Sequence, residues 1–281
     1  MEYLKLIRVK HYLKNFLVFL PAIFSGMLFD NNILIKAIIM FLAFSFTASI
    51  IYVINDINDL ENDRKHPIKK NRPLASGKIS KNKAVVTIFI LIFLIIGLLY
   101  FAGFLFDFSS LILIIYFIIN LGYSFGLKNI PLVDITILAL GFVLRVTYGG
   151  VGLEIDISNW LFLTILSVSF YMALGKRRNE LIKNGSDSRK VLKSYNKDFL
   201  DKNMYMFLAL TIVFYSLWAV SAFNNEVFKY SIVLVIVILL KYSMDVEGDN
   251  FGDPIEVITH DKGLLVLGII YISFVFITIY I

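Results

Sequence analysis

Of the 281 residues, 58% are hydrophobic and 15% aromatic, including 26 Phe, while only 17% are charged, against about 25% in soluble domains. A water-soluble core cannot hide that much apolar surface, so a soluble enzyme, a secreted disulfide scaffold and a disordered chain are all excluded. Zero Cys removes thiolate catalysis and Cys-ligated metals, and His11, His66 and His260 are too scattered for a histidine metal site.

Apolar stretches lie near 13–29, 33–54, 84–103, 108–125, 132–151, 159–175, 204–223, 228–243 and 263–281. A spanning helix needs about 20 apolar residues, and continuous runs of this length do not suit a β-barrel, whose strands alternate. The expectation is an all-α integral membrane protein. Its nine transmembrane helices form a single polytopic domain over residues 1–281. The first run follows Lys5, Arg8, Lys10 and Lys14 as a signal peptide would, but it lacks a small-residue cleavage site and carries Pro21. It reads as a retained helix.

Basic residues orient the spans. Four precede or enter the first span, eight lie in 55–83, one in 126–131, nine in 176–203 and two in 241–262. These twenty-four share one face, against Lys229 alone on the other, with Lys36 and Arg145 inside spans. The amino terminus and the large loops near 55–83 and 176–203 are therefore expected in the cytoplasm, and the carboxyl terminus outside the plasma membrane. The positive balance, net +6, is read as topology and attraction to anionic head groups, with no nucleic-acid partner. Lys36, close to an outer end, reads as a snorkelling anchor. Arg145, five residues before Gly150, reads first as an outer-interface or buried structural cation and second as a site residue.

The second span runs into Asn55, Asp56, Asp59 and Asp63. Spacing of i, i+4 and i+8 stacks Asn55, Asp59 and Asp63 on one face of a continuing helix, with Asp56 flanking it. Clustered carboxylates repel unless a cation sits among them, and hard oxygen ligands suit Mg²⁺ shared with phosphate oxygens. Pro67 then ends the helix, and Lys69, Lys70 and Arg72 follow. A metal and a basic turn together suit a ligand with several phosphates.

The run from Asn55 to Gly77, Asn-Asp-x-x-Asp-x-x-x-Asp-Arg-x-His-Pro-x-Lys-x-x-Arg-Pro-x-Ala-x-Gly, resembles the first aspartate motif of the UbiA-type membrane prenyltransferase superfamily. The resemblance implies nine helices around a central cavity open to the cytoplasmic side. It also implies Mg²⁺, with Mn²⁺ as a substitute, on Asn55, Asp56, Asp59 and Asp63, of which Asp59 and Asp63 are taken as catalytic. Members that prenylate aromatic rings carry a second aspartate-rich motif after the sixth span. Here Gly175-Lys176-Arg177-Arg178-Asn179-Glu180 stands instead, followed by Arg189 and Tyr195. Lys176 and Glu180 share a face at i, i+4, with Arg177 beside them. A basic cluster there suits a site that attracts more negative charge, or else a solvated basic helix.

That departure resembles the decaprenyl-phosphate phosphoribosyltransferase branch. So do Arg8 with Lys14 and Asn15, Tyr123 to Lys128 before Asp134, and Tyr242 and Asp245 before Gly248, Gly252, Pro254 and Glu256. The branch implies transfer of 5-phosphoribosyl from phosphoribosyl diphosphate to a polyprenyl phosphate in the bilayer. Lys176 and Glu180 would then be catalytic. Lys14, Asn15, Arg64, Lys69, Arg72, Tyr123, Lys128, Asp134, Arg177, Arg189, Tyr195, Tyr242 and Asp245 would bind substrate. Two alternatives remain open: a prenyltransferase that uses a prenyl diphosphate on an aromatic or lipid acceptor, and a non-enzymatic lipid transporter.

The chain has no native Cys, so labelling tests the topology directly. Single Cys residues at Asn71 and Asn184 should resist impermeant thiol reagents on intact cells, and one at Asn225 should react. The reverse pattern would invert the orientation.

Overall fold

The computed structural model describes residues 1–65, 69–222, 226–248 and 254–281. His66, Pro67, Asn225 and Gly252 lie outside the described residues. Among those described there is no strand. The α-helices are α1 (Glu2–Leu6), α2 (Leu20–Phe24), α3 (Asn31–Asn58), α4 (Leu60–Lys65), α5 (Lys81–Phe101), α6 (Phe108–Phe125), α7 (Val133–Gly152), α8 (Asn159–Asn184), α9 (Lys197–Ser221), α10 (Ser231–Glu247), α11 (Pro254–His260) and α12 (Lys262–Tyr280).

Helix starts follow local chemistry. The side chains of Asp30, Ser80, Ser158, Asn196 and Asp261 accept backbone N–H bonds at the starts of α3, α5, α8, α9 and α12, satisfying donors that a helix leaves orphaned. Among the described residues, seven helices are long and apolar enough to cross a membrane: α3, α5, α6, α7, α9, Glu226–Glu247 and α12. Lipid, rather than protein, must cover much of them. Phe93 and Phe101 on α5 are 77% and 88% exposed.

Two expected spans are built differently. Helix α8 is 26 residues long, but its last third carries Lys176, Arg177, Arg178, Asn179 and Glu180, so the apolar part is shorter than the helix. Residues 13–29 do not form one α-helix. Val9–Phe19 is a 3-10 helix and only Leu20–Phe24 is α, with Pro21 in its first turn. A 3-10 helix rises about 2.0 Å per residue against about 1.5 Å for α. The eleven and five residues thus extend about 22 Å and about 7.5 Å, close to the ~30 Å hydrocarbon thickness.

Packing against α3 explains this choice. Tyr12 Oη lies 2.9 Å from Ser49 Oγ, and Asn15 Nδ2 donates to Ser45 Oγ at 2.9 Å. Three residues of 3-10 helix and four of α-helix both cover about 6 Å, so a period of three meets a period of four in register.

Two compact units divide the chain: Met1–Phe125 with Leu144–Asp156, and Gly126–Val143 with Ile157–Ile281. In the first, Val18, Met40, Phe44, Tyr116 and Tyr148 form the core, and a smaller cluster joins Leu6, Val53, Leu74 and Ile79 beneath the polar end of α3. In the second, Tyr171, Leu174, Leu192, Leu200, Met204 and Val246 pack together.

The interior cation Arg145 belongs to the first unit and is 5% exposed. Its Nε donates to Asn15 Oδ1 at 2.8 Å and its Nη2 to the Tyr116 hydroxyl at 3.1 Å. The guanidinium also lies 5.0 Å and 5.2 Å from the Phe44 and Tyr116 ring centres, a cation–π box. Asn15, expected on substrate, is instead 1% exposed and joins Arg145 to Ser45. Lys36 lies 5.8 Å from the Phe104 ring.

The close approach of Val18 sets the sharpest packing constraint, since a Cβ at Gly149 would run into the Val18 carbonyl oxygen. Gly149→Ala should cost about 1–3 kcal/mol as overpacking and lower the detergent melting temperature. Gly97→Ala on α5, where a Cβ meets nothing within 4 Å, should be neutral or stabilising by up to ~1 kcal/mol.

Candidate active site

The acidic motif does not lie on one unbroken helix. Helix α3 ends at Asn58, Asp59 is its C-cap, and α4 starts at Leu60. The i→i−4 ladder nevertheless carries through, because Asp59 N–H bonds Asn55 O at 2.9 Å and Asp63 N–H bonds Asp59 O at 2.8 Å. The backbone of Asn55, Asp59 and Asp63 is therefore linked by successive i→i−4 bonds across the break.

Asp56 has a larger part than a flanking one. Asp56 and Asp63 are each 3% exposed and share one cation: Arg72 Nη1 is 3.0 Å from Asp56 Oδ1 and 2.6 Å from Asp63 Oδ2. Arg8 Nη2 reaches the same Asp56 oxygen at 2.5 Å and its guanidinium lies 4.5 Å from the Tyr52 ring centre. Buried carboxylates demand such partners. Arg8 holds this position with φ 54, the left-handed region that costs a non-glycine residue about 1–2 kcal/mol. Its part in the cluster was not read from the sequence, where it stood only within the amino-terminal pattern. Forty-eight residues separate it from Asp56, and no local spacing connects them.

A metal fits this set by kind. Asn55, Asp56, Asp59 and Asp63 offer the hard oxygen donors that Mg²⁺ takes. Among the described residues no three His, Cys, Asp or Glu side chains are grouped closely enough to hold an ion by themselves. Full coordination would need the Asn55 amide or ligand oxygens. Arg64 lies outside the buried network: it is exposed and pairs with Glu61 at 3.0 Å. Lys69 is exposed in the turn Lys69–Asn71.

In the second unit, Arg177 is fully buried. Its Nε donates to Asp134 Oδ2 and its Nη1 to Glu180 Oε2, both at 2.5 Å. Tyr195 donates to Asp134 Oδ1 at 2.6 Å and accepts the Leu132 N–H at 2.7 Å, with Leu132 left-handed at φ 66. Burial, and then the Asp134 carboxylate, push the Tyr195 hydroxyl well above the usual tyrosine range, so it remains a donor. Arg189 approaches Glu180 at 3.5 Å. Asp134, Arg177 and Tyr195, expected as substrate contacts, form a closed buried network here. Lys176 is half-buried one position along, and Lys128 is half-buried, as is Tyr123 of the first unit.

Burial raises the Glu180 carboxyl, but Arg177, then Lys176 and Arg189, outweigh it and hold the group below its usual range. Two further ties were not read from the sequence. Arg178 Nε donates to Asp201 at 2.5 Å, and Lys241 Nζ bonds both Asp245 at 2.7 Å and Asp261 at 2.6 Å. Asp245 thus belongs to a clamp joining α10 to the start of α12, beside buried Tyr242.

Apolar helices of spanning length, with ionic networks where α3 and the apolar part of α8 end, define a multi-pass all-α membrane protein. The chain belongs to the UbiA prenyltransferase family, whose model it matches over residues 18–255. It is 33% identical to a protein of Corynebacterium glutamicum named decaprenyl-phosphate phosphoribosyltransferase, covering 99% of this chain and 86% of that one. It is 31% identical to a protein of the same name in Mycobacterium tuberculosis, covering 96% and 91%. Its fold is that of a UbiA homolog from Archaeoglobus fulgidus solved with GPP and Mg²⁺, with a TM-score of 0.73, 21% identity and full coverage of both chains.

Arg177→Ala leaves Asp134 buried without its cation and should cost about 3–5 kcal/mol, read by chemical unfolding in detergent. Lys193→Ala, which removes an exposed pair with Asp187, should change stability by no more than ~0.5 kcal/mol. Glu180→Gln should destabilise at neutral pH. A carboxylate depressed by folding contributes stability above its unfolded-state pKa and loses it as pH falls through the folded value. The deficit of Glu180→Gln should therefore shrink below the ordinary glutamate range.

Proposed function

We propose that this protein transfers the 5-phosphoribosyl group of phosphoribosyl diphosphate to a polyprenyl phosphate. The observation that carries this reading is that the basic residues Lys176, Arg177 and Arg189, gathered around Glu180, stand where aromatic prenyltransferases of the family have a second acidic motif. The near full-length likeness to proteins named for that reaction supports it.

Bringing two phosphorylated substrates together is chiefly a repulsion problem, since a phosphate monoester carries about −1.5 to −2. The acceptor phosphate is already an anion and needs no strong base. Its oxygen attacks C1 of the ribose, the bond from C1 to the diphosphate oxygen breaks, and diphosphate departs with the electron pair. In-line attack inverts C1 and gives a β-linked product. Mg²⁺ held by Asn55, Asp59 and Asp63, with Asp56 beside them, would supply positive charge to the leaving diphosphate. Arg8 and Arg72 hold the Asp56 and Asp63 carboxylates in place. Lys176 offers its ammonium to a phosphate, and the network of Asp134, Arg177 and Tyr195 holds Glu180 in place beside it. This is catalysis by positioning and electrostatics.

The reading extends to nine spans. Val9–Phe24 would cross as the first, with its 3-10 rise making up for few residues, and α8 would be the sixth. The amino terminus and both large loops would be cytoplasmic, the carboxyl terminus outside the plasma membrane, and the central cavity open to the cytoplasmic side.

Purified protein given radiolabelled phosphoribosyl diphosphate and a polyprenyl phosphate should form the lipid-linked product, and chelator should abolish it. Asp59→Asn and Asp63→Asn should be inactive while remaining folded. Lys176→Ala should lower kcat/KM for the donor about 10- to 150-fold, the loss of a charge-assisted contact of roughly 1.5–3 kcal/mol. Turnover of a prenyl diphosphate in its place would make the protein an ordinary prenyltransferase. No turnover with either donor would favour the transporter.

A further inference from the structure

The Val9–Phe19 segment has a second face. With three residues per turn, positions i, i+3 and i+6 eclipse one another. Tyr12, Asn15 and Val18 form the stripe turned to the protein. Lys10, Leu13 and Phe16 form another stripe, which is exposed, with Leu13 at 48% and Phe16 at 55%. Lys10 and Phe16 are six residues apart, about 12 Å along the axis. One cation therefore heads an apolar track, which the Phe16 ring continues through its contact with Phe41 at 5.0 Å.

At the charged end lies a surface groove of about 580 Å³, lined by Leu4, Lys5, Arg8, Lys10 and His11 among others. Two of the lining residues rest on Tyr52 of α3, whose ring contacts the Arg8 guanidinium and lies 5.5 Å from the His11 ring. Arg8 lines the groove with a left-handed backbone, and its guanidinium is paired with Asp56. Arg72 also bonds Asp56 and is shared with Asp63. Lys5 is engaged by Glu2 at 3.0 Å, which Lys78 also approaches at 3.7 Å.

We propose that this groove and stripe form the subsite for a lipid phosphate monoester: the phosphate between Lys10, Lys5 and Arg8, the hydrocarbon chain along Leu13 and Phe16. A free phosphate would use only the groove. The aligned apolar track is what favours an amphiphile, and the Arg8–Asp56 pair joins the subsite to the acidic cluster. That this lipid is the acceptor rests on the proposed transfer reaction; that the subsite binds it does not.

The test is equilibrium binding of radiolabelled farnesyl phosphate to the full-length protein in phosphatidylcholine nanodiscs, which requires no turnover. Farnesyl phosphate should bind saturably, with inorganic phosphate and farnesol both poor competitors. Lys10→Ala should weaken binding about 10-fold or more, Lys10→Arg should restore most of it, and Phe16→Ala should weaken it severalfold. The donor KM for phosphoribosyl diphosphate should stay within twofold in Lys10→Ala. Binding changed less than twofold by both Lys10→Ala and Phe16→Ala would overturn the proposal. So would inorganic phosphate competing as well as farnesyl phosphate, which would mark a free-anion site. Failure of the donor assay with binding intact would overturn the reaction and leave the subsite standing.

Discussion

A carboxylate buried at the end of an apolar helix cannot stay ionised without a cation, and the helix that carries it does not supply one. Asp56 draws in Arg8 from before the first span and Arg72 from beyond α4. Asp134, at the start of α7, draws in Arg177 from α8. Each pair lies in a low-dielectric setting where removing one partner costs far more than the pair contributes net. The polar ends of the helices are thereby tied to one another by charge, while the apolar midsections face lipid or each other.

These ionic ties also explain where the backbone departs from regular geometry. Arg8 and Leu132 are two of the three non-glycine residues with positive φ among those described. One delivers its guanidinium to Asp56. The other delivers its N–H to Tyr195, which bonds Asp134. Strain of this kind persists where the surrounding contacts over-determine the conformation, and here both contacts end on a buried carboxylate. The arrangement suits chemistry that moves anions, because the charges are fixed before any ligand arrives and need little reorganisation.

The amino-terminal segment gives one short stretch of chain two tasks. Its 3-10 period matches the α3 spacing on the inner side through Ser45 and Ser49, and lines up Lys10, Leu13 and Phe16 on the outer side. An α-helix of the same residues would rotate each third residue by about 60° and lose both alignments. Arg145 depends on the same segment, since Asn15 accepts its Nε–H. A cation deep among aromatic rings is thus held by a residue that family resemblance assigns to substrate.

The sequence by itself determined the fold class, because apolar runs of spanning length have few other solutions, and the helix starts, because Asp30, Ser80, Ser158, Asn196 and Asp261 act through bonds to their own backbone. It also set the i, i+4 and i+8 spacing of Asn55, Asp59 and Asp63, which successive backbone bonds follow across the break between α3 and α4. Only the tertiary structure decided which cation meets which carboxylate: Arg8 with Asp56, Arg177 with Asp134 and Glu180, Arg178 with Asp201. It alone placed Asn15 and Asp245 in structural ties, and made residues 9–19 a 3-10 helix. Periodicity and capping are written in neighbouring residues. Ion pairs between Arg8 and Asp56, or Arg177 and Asp134, join residues more than forty positions apart, and a 3-10 helix is chosen by the spacing of the surface it packs on.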